Sequence, residues 1–112
     1  MGLQGQIESL QNAQKHWMLH NFPSAESWEA LAGMTEELGE LAHAHLKGFN
    51  AIRAMRDPEA VQAAKADAVG DIFIYLMSYC NTNNLDLETC IDRAWSEVKE
   101  RDWVANPVDG RV

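Results

Sequence analysis

The sequence predicts an all-α fold, arranged as a four-helix, bundle-like domain. Proline occurs only at Pro23, Pro58 and Pro107, and the stretches between are rich in Ala, Leu, Glu and Met with no strand-like alternation. The breaks that do occur also carry helix-terminal chemistry. A first helix is expected over residues 4–20, closed by Asn21-Phe22-Pro23. Ser24 reads as the next N-cap, with Ser27 and Trp28 opening a second helix that runs to about Lys47 and stops at Gly48. A connection carrying Arg53 and Arg56 follows, and Asp57-Pro58 reads as an N-cap with proline at the first helical position. The third helix then reaches about Asn81. Asn81-Thr82-Asn83-Asn84 marks a turn, Asp86 caps a fourth helix ending near Trp103, and residues 104–112 form an irregular tail.

At 112 residues the chain holds one domain, spanning 1–112, with a single core. Hydrophobic residues at 46% and charged residues at 23% are the proportions of a folded domain and too apolar for disorder. A net charge of −8 argues against a nucleic-acid binder or a binder of anionic membranes, and leaves open an acidic patch that takes cations. There is no apolar run of membrane-spanning length, and Met1 to Leu10 lacks the basic-then-apolar pattern of a leader, so a cytoplasmic location is expected. Cys80 and Cys90, without a CxxC pair or zinc-type spacing, read as reduced structural thiols.

The acidic residues carry the chemistry. On an ideal helix at about 100° per residue, Leu31, Met34, Leu38, Leu41 and His45 gather on one face, which is expected to pack inward. Glu36 falls opposite that face. Glu40 lies off it, and Glu37 sits on its flank, along a stripe that also carries the small residues Gly33 and Ala44. In the third helix apolar residues go almost all the way round between Val61 and Cys80, which predicts burial on most sides, while Asp67, Asp71 and Ser78 share a narrow strip. Ionised carboxylates on a buried helix need partners. An ion pair with Lys65, Arg53, Arg56 or a base of the fourth helix is one solution; a metal shared with Glu37 and Glu40 is the better one. An all-oxygen set favours Mg²⁺, with Mn²⁺ as the alternative, over zinc. The chemistry such a set supports is metal-assisted phosphoryl or nucleotidyl hydrolysis, with a spare carboxylate as base for the attacking water.

At these residues the sequence resembles the MazG-like all-α nucleoside triphosphate pyrophosphohydrolases, whose pattern is EExxE followed some tens of residues later by ExxD. Glu36-Glu37-Leu38-Gly39-Glu40 matches the first half in full, and Asp71 closes the second. The family's other glutamate falls on Ala68, which cannot ligate, and Asp67 is the neighbour that can stand in for it. The likeness covers about residues 28–103, including GELAHAHLK and WSEVKERDW. It implies a MazG-type, oligomeric bundle, a homodimer or homotetramer, with Mg²⁺ held among Glu36, Glu37, Glu40, Asp67 and Asp71, and with Glu37, Glu40 and Asp71 in the catalytic roles. The implied reaction cleaves between the α- and β-phosphates of a nucleotide, releasing the monophosphate and pyrophosphate. A phosphoribosyl-ATP pyrophosphohydrolase reaction would use the same pocket.

A triphosphate also needs cations, and Lys47, Arg53, Lys99 and Arg101 lie where helix ends and loops can deliver them. Trp17, Phe22, Trp28 and Trp103 are candidate surfaces for stacking a base. Two other readings stand beside the enzyme. One is a nucleotide-binding or oligomeric interaction protein that kept the bundle and lost turnover, which Ala68 permits; the other is a plain bundle with solvated acids.

Overall fold

The computed structural model describes residues 4–49 and 57–111; Arg53 and Arg56 lie outside them. Its elements are four α-helices: α1 (Gln6–Asn21), α2 (Ser27–Phe49), α3 (Pro58–Thr82) and α4 (Leu87–Val98). The all-helical expectation holds. None of these helices is long and apolar enough to cross a membrane.

The helix ends follow local chemistry, with three departures from the expected limits. Gly48 does not stop α2, which continues to Phe49. Ser24 is no N-cap: it lies in a turn closed by Ala25 N–H donating to Phe22 O at 3.1 Å, and the helix starts at Ser27. The fourth helix ends at Val98, five residues before Trp103. Past Val98 the chain tightens into turns, with Glu100 N–H donating to Glu97 O at 3.2 Å and Arg101 N–H to Val98 O at 3.1 Å, and Asp102 Oδ1 then accepts from Val104 N–H and Ala105 N–H, both at 3.0 Å, an Asx turn that starts the tail. The tail then folds back, with Asp102 N–H donating to Gly110 O at 2.6 Å. Gly110, at φ 73°, lies flat against the Trp103 ring. Asp57 caps α3 as expected, accepting from Glu59 N–H at 3.0 Å, with Pro58 behind it. At the other end Asn84 takes the left-handed conformation, φ 55°, and Leu85 N–H reaches Cys80 O at 2.9 Å, a Schellman-type ending. Glu88 of α4 closes the N-terminus of α1, its carboxylate accepting from Gly5 N–H at 3.0 Å and from Ile7 and Glu8 N–H at 3.1 Å.

The helices α2 and α3 form the main pair. They are antiparallel, since Gly33 of α2 meets Tyr75 of α3 while Glu37, one turn on in α2, is acted on by Asp71, one turn back in α3. The pair closes through small residues: Ala30, Gly33 and Ala44 on α2 and Val61 and Ala68 on α3 are buried. This corrects the expected inward face. Leu31 and Leu38 stay exposed, Leu38 at 60%, as does His45, while Met34 and Leu41 are half-buried. The stripe of small residues lets the backbones approach, and the leucines point away from α3. Nor is α3 buried on most sides: Val69, Phe73, Ile74 and Tyr75 are exposed, Phe73 at 45%.

A separate small core of Met77, Cys80 and Leu87, flanked by Ile7, Leu76 and Ile91, joins α1, α3 and α4. Cys80 and Cys90 are both free thiols; burial pushes the Cys80 thiol up, so it acts as a core residue, while Cys90 is exposed. Behind this core lies a polar seam made by two buried glutamines of α1. Gln11 Nε2 donates to Leu85 O at 2.8 Å and Asn81 Oδ1 at 2.9 Å, and Gln14 Nε2 donates to Ser78 Oγ at 2.6 Å. Asn81, expected as a turn residue, is in the last turn of α3 and bridges them, Nδ2 donating to Gln14 Oε1 at 2.7 Å.

The single chain is not a closed globule. Its Cα radius of gyration is 17.6 Å, against about 13 Å for a compact chain of this length. It exposes 8453 Å², against roughly 6,200 Å² for a compact monomer of this mass.

Candidate functional site

Glu37 occupies the α2 stripe that also carries Gly33 and Ala44, so helical geometry turns it toward α3. Antiparallel packing then brings Asp71 opposite. Glu40, one turn further along α2, lies on the same side and crowds Glu37. The Glu37 carboxyl is held above its ordinary value, first by desolvation, then by the charges of Glu40, Asp71 and Glu36. Among the described residues every group acting on Glu37 raises it, and no cation acts in the opposite direction.

The acids do not stand as the helical projection placed them in every respect. Asp71 and Asp67 are both exposed, so burial of α3 carboxylates supplies no demand for a partner; like-charge crowding at Glu37 does. Asp67 is not among the groups that act on Glu37. Carrying the register from Gly33–Tyr75 and Glu37–Asp71 one turn further sets the Asp67/Ala68 step beside Glu40 and Leu41. At that step the buried residue is Ala68, while Asp67, about 100° round the helix, faces solvent. Among the described residues no three acidic, His or Cys side chains are drawn close enough to hold an ion as they stand.

Beside the acids opens a cavity of about 530 Å³, within the range of small-molecule sites. Glu36, Glu37 and Asp71 form an acidic rim on one side, and Glu26 and Glu29 also line the cavity. Its walls are aromatic: Trp17 from α1, Phe22 from the α1–α2 turn, Trp28 from α2 and Tyr75 from α3. Trp17 and Phe22 meet edge to face, ring centroids 5.7 Å apart at 67°. The Trp28 indole N–H donates to Glu26 Oε2 at 2.7 Å, which fixes that ring. Gly33 sets the depth of the cavity wall: a Cβ there would come within 2.6 Å of Tyr75 Cδ1. Ser78 and Thr82 line the same cavity two and three turns along α3 from Asp71.

Of the residues singled out from the sequence, the structure gathers Glu36, Glu37, Asp71, Trp17, Phe22 and Trp28 at one cavity, with Glu40 beside Glu37. Lys47 lies ten residues beyond Glu37 on α2, about 15 Å along the axis, and is not on the cavity wall. Lys99 and Arg101 follow the end of α4, and Trp103 is covered on one face by Gly110; none lines the cavity. Tyr75 and Ser78 are among the wall residues that the sequence did not assign to a site. Ser78 carried a signal, since it shares the α3 strip with Asp71; Tyr75 carried none until Gly33 was seen against its ring.

Comparison with known proteins finds no match for this chain: no family model, no curated protein and no solved structure.

Proposed function

We propose that this protein is a Mg²⁺-dependent nucleotide pyrophosphohydrolase of the MazG-like type, which cleaves the α–β phosphate bond of a nucleoside or deoxynucleoside triphosphate. One observation carries the reading: an acidic cluster, centred on Glu37 and formed by both α2 and α3, borders an aromatic-walled cavity of about 530 Å³. A flat heterocycle suits such walls, and a polyphosphate attached to it would extend toward the acids. The acids repel phosphate unless a cation intervenes, so the pairing of these two surfaces calls for a divalent ion.

The donor set fits that ion. Glu37, Glu40 and Asp71, with Glu36 at the rim, offer only carboxylate oxygen, the chemistry of Mg²⁺ or Mn²⁺, and closing them on an ion is left to the rotation of exposed side chains. A bound Mg²⁺ supplies charge screening for the phosphates. The chain's own residues do the rest: the aromatic walls orient the base, and whichever carboxylate among Glu37, Glu40 and Asp71 is not taken up in ligation is placed to accept the proton of an attacking water. The excess exposed surface and the exposed apolar faces of α2 and α3 support a homo-oligomer, a dimer or tetramer, in which a second copy covers the leucines.

A second reading, a nucleotide-binding protein without turnover, is favoured by Ala68, which is buried where the family pattern has a ligating glutamate. One experiment separates the two. Pyrophosphate release is measured over a panel of triphosphates with Mg²⁺ or Mn²⁺, alongside Asp71→Asn and Asp67→Asn. Turnover abolished by Asp71→Asn and largely kept by Asp67→Asn supports the enzyme with the ligand set Glu36, Glu37, Glu40 and Asp71. Tight nucleotide binding without turnover supports the second reading.

A further inference from the structure

We infer that Ser78 is the hydrogen-bond donor that selects the ligand in the aromatic cavity, and that Gln14 is its positioning residue, so the cavity prefers a base bearing an oxo group over one bearing an amino group at that edge. This rests on the reading above that the cavity takes a nucleobase.

The argument follows hydrogen-bond direction along the polar seam. A backbone N–H can only donate and a carbonyl can only accept. Leu87 N–H donates to Gln11 Oε1 at 2.8 Å, so the other end of that amide is Nε2, which donates to Leu85 O at 2.8 Å and to Asn81 Oδ1 at 2.9 Å. Asn81 is thereby oriented, and its Nδ2 donates to Gln14 Oε1 at 2.7 Å and to Gln11 O at 3.2 Å. Gln14 must then present Nε2 to Ser78 Oγ, at 2.6 Å, with Ile74 O as a second acceptor at 3.5 Å. Each amide is thus locked by its neighbour, starting from a backbone group at the entry to α4. Both glutamines are buried, Gln11 at 7% and Gln14 at 6% exposure, so water is poorly placed to compete for these bonds.

The consequence lies at Ser78. Its oxygen accepts from Gln14, and its own proton is left for the cavity that it lines. The neighbouring wall hydroxyl is committed differently, because Thr82 Oγ1 donates back to Ser78 O at 3.0 Å and Tyr79 O at 3.1 Å. Ser78 therefore meets an incoming ring with a donor of fixed direction. An oxo oxygen accepts that proton; an amino group in its place sets donor against donor and leaves the hydroxyl unpaired. A site that hydrogen-bonds one substituent discriminates strongly against the isostere that cannot reply.

The test is equilibrium binding to the full-length protein, read by quenching of tryptophan fluorescence, for two pairs that differ by oxo against amino: UTP against CTP, and ITP against ATP. Turnover of the same four is followed in parallel. Wild type should bind the oxo member about tenfold or more tightly in each pair. Ser78→Ala should bring that ratio to near one, and Ser78→Thr should restore it. Gln14→Glu gives a sharper result: a carboxylate at that position only accepts, turns the Ser78 proton inward and exposes the oxygen lone pairs, so the preference should reverse toward the amino member. A merely structural role for Gln14 would weaken all four nucleotides alike. Should Gln14→Glu fail to fold, the two Ser78 variants still decide. Binding of all four with no oxo preference, or a preference that survives Ser78→Ala, overturns this inference and leaves the cavity's nucleotide reading intact. No binding of any triphosphate overturns both.

Discussion

Phe73→Ala is the most informative single change for the proposed assembly. Phe73 sits on the outer face of α3 beside Val69, and 45% of it is exposed in the single chain. An aromatic side chain offers roughly 200 Å², so about 90 Å² of ring would be covered if a second copy packs there. At about 25 cal/mol per Å² that burial contributes about 2 kcal/mol per copy. A two-fold interface counts it twice, which makes about 4 kcal/mol and roughly 10³ in the dimer dissociation constant. The wider surface sets the scale: an excess of about 2,200 Å² over a compact monomer is what an obligate interface covers, and such chains have no stable folded monomer. Sedimentation velocity over a range of concentrations, with thermal unfolding alongside, is the assay. Wild type should sediment as a dimer or larger, with Tm rising with concentration, and Phe73→Ala should dissociate at concentrations about a thousandfold higher. A monomeric wild type with a concentration-independent Tm would refute the reasoning, because the exposed face would then need no cover.

Other outcomes follow from the same geometry. Glu37 is held above its ordinary value of 4.5, so between that pH and its raised value the folded state binds more protons than the unfolded one, and stability falls as pH rises. Glu37→Gln should therefore unfold at a higher temperature than wild type near neutral pH in the absence of metal, with the difference gone below about pH 4.5; adding Mg²⁺ should raise Tm for wild type alone. Gly33→Ala gains about 1 kcal/mol of helix propensity but drives Tyr75 from its place. Denaturant unfolding should show a change within about 1 kcal/mol, while nucleotide binding falls at least tenfold; unchanged binding would show that the Gly33–Tyr75 contact does not shape the cavity. Glu88→Gln leaves three N–H groups of the first helix with a neutral acceptor in place of a carboxylate, and should cost about 1–2 kcal/mol by urea unfolding.

Much of the fold is legible in the residues because its signals are local. Asp57-Pro58 starts a helix by its own chemistry, and proline at only three positions leaves long helices as the remaining choice. The candidate acids were readable for the same reason: Glu37 and Glu40 share a side by helical spacing, and Asp71 follows from the motif. What failed were the inferences about which face a neighbour covers. The Leu31–Leu38 face is the more hydrophobic side of the second helix and was expected inward, yet the chain closes on Gly33 and Ala44. Periodicity reports that a face is to be covered, and it does not report by what.

The sequence by itself determined the all-helical class, most helix boundaries within a few residues, and the carboxylates Glu37, Glu40 and Asp71 of the candidate site. These depend on backbone propensity, capping and spacing along one helix, which are interactions within a few residues of chain. Only the tertiary structure decided that Ala68 rather than Asp67 is buried against the second helix, that Trp17, Phe22, Trp28 and Tyr75 share one cavity, and that Ser78 lines it while accepting from Gln14. Those facts depend on the relative rotation and register of helices far apart in the chain. They also depend on a hydrogen-bond direction that runs from Leu87 to Ser78 through side chains of two helices, and no spacing rule in one segment encodes it.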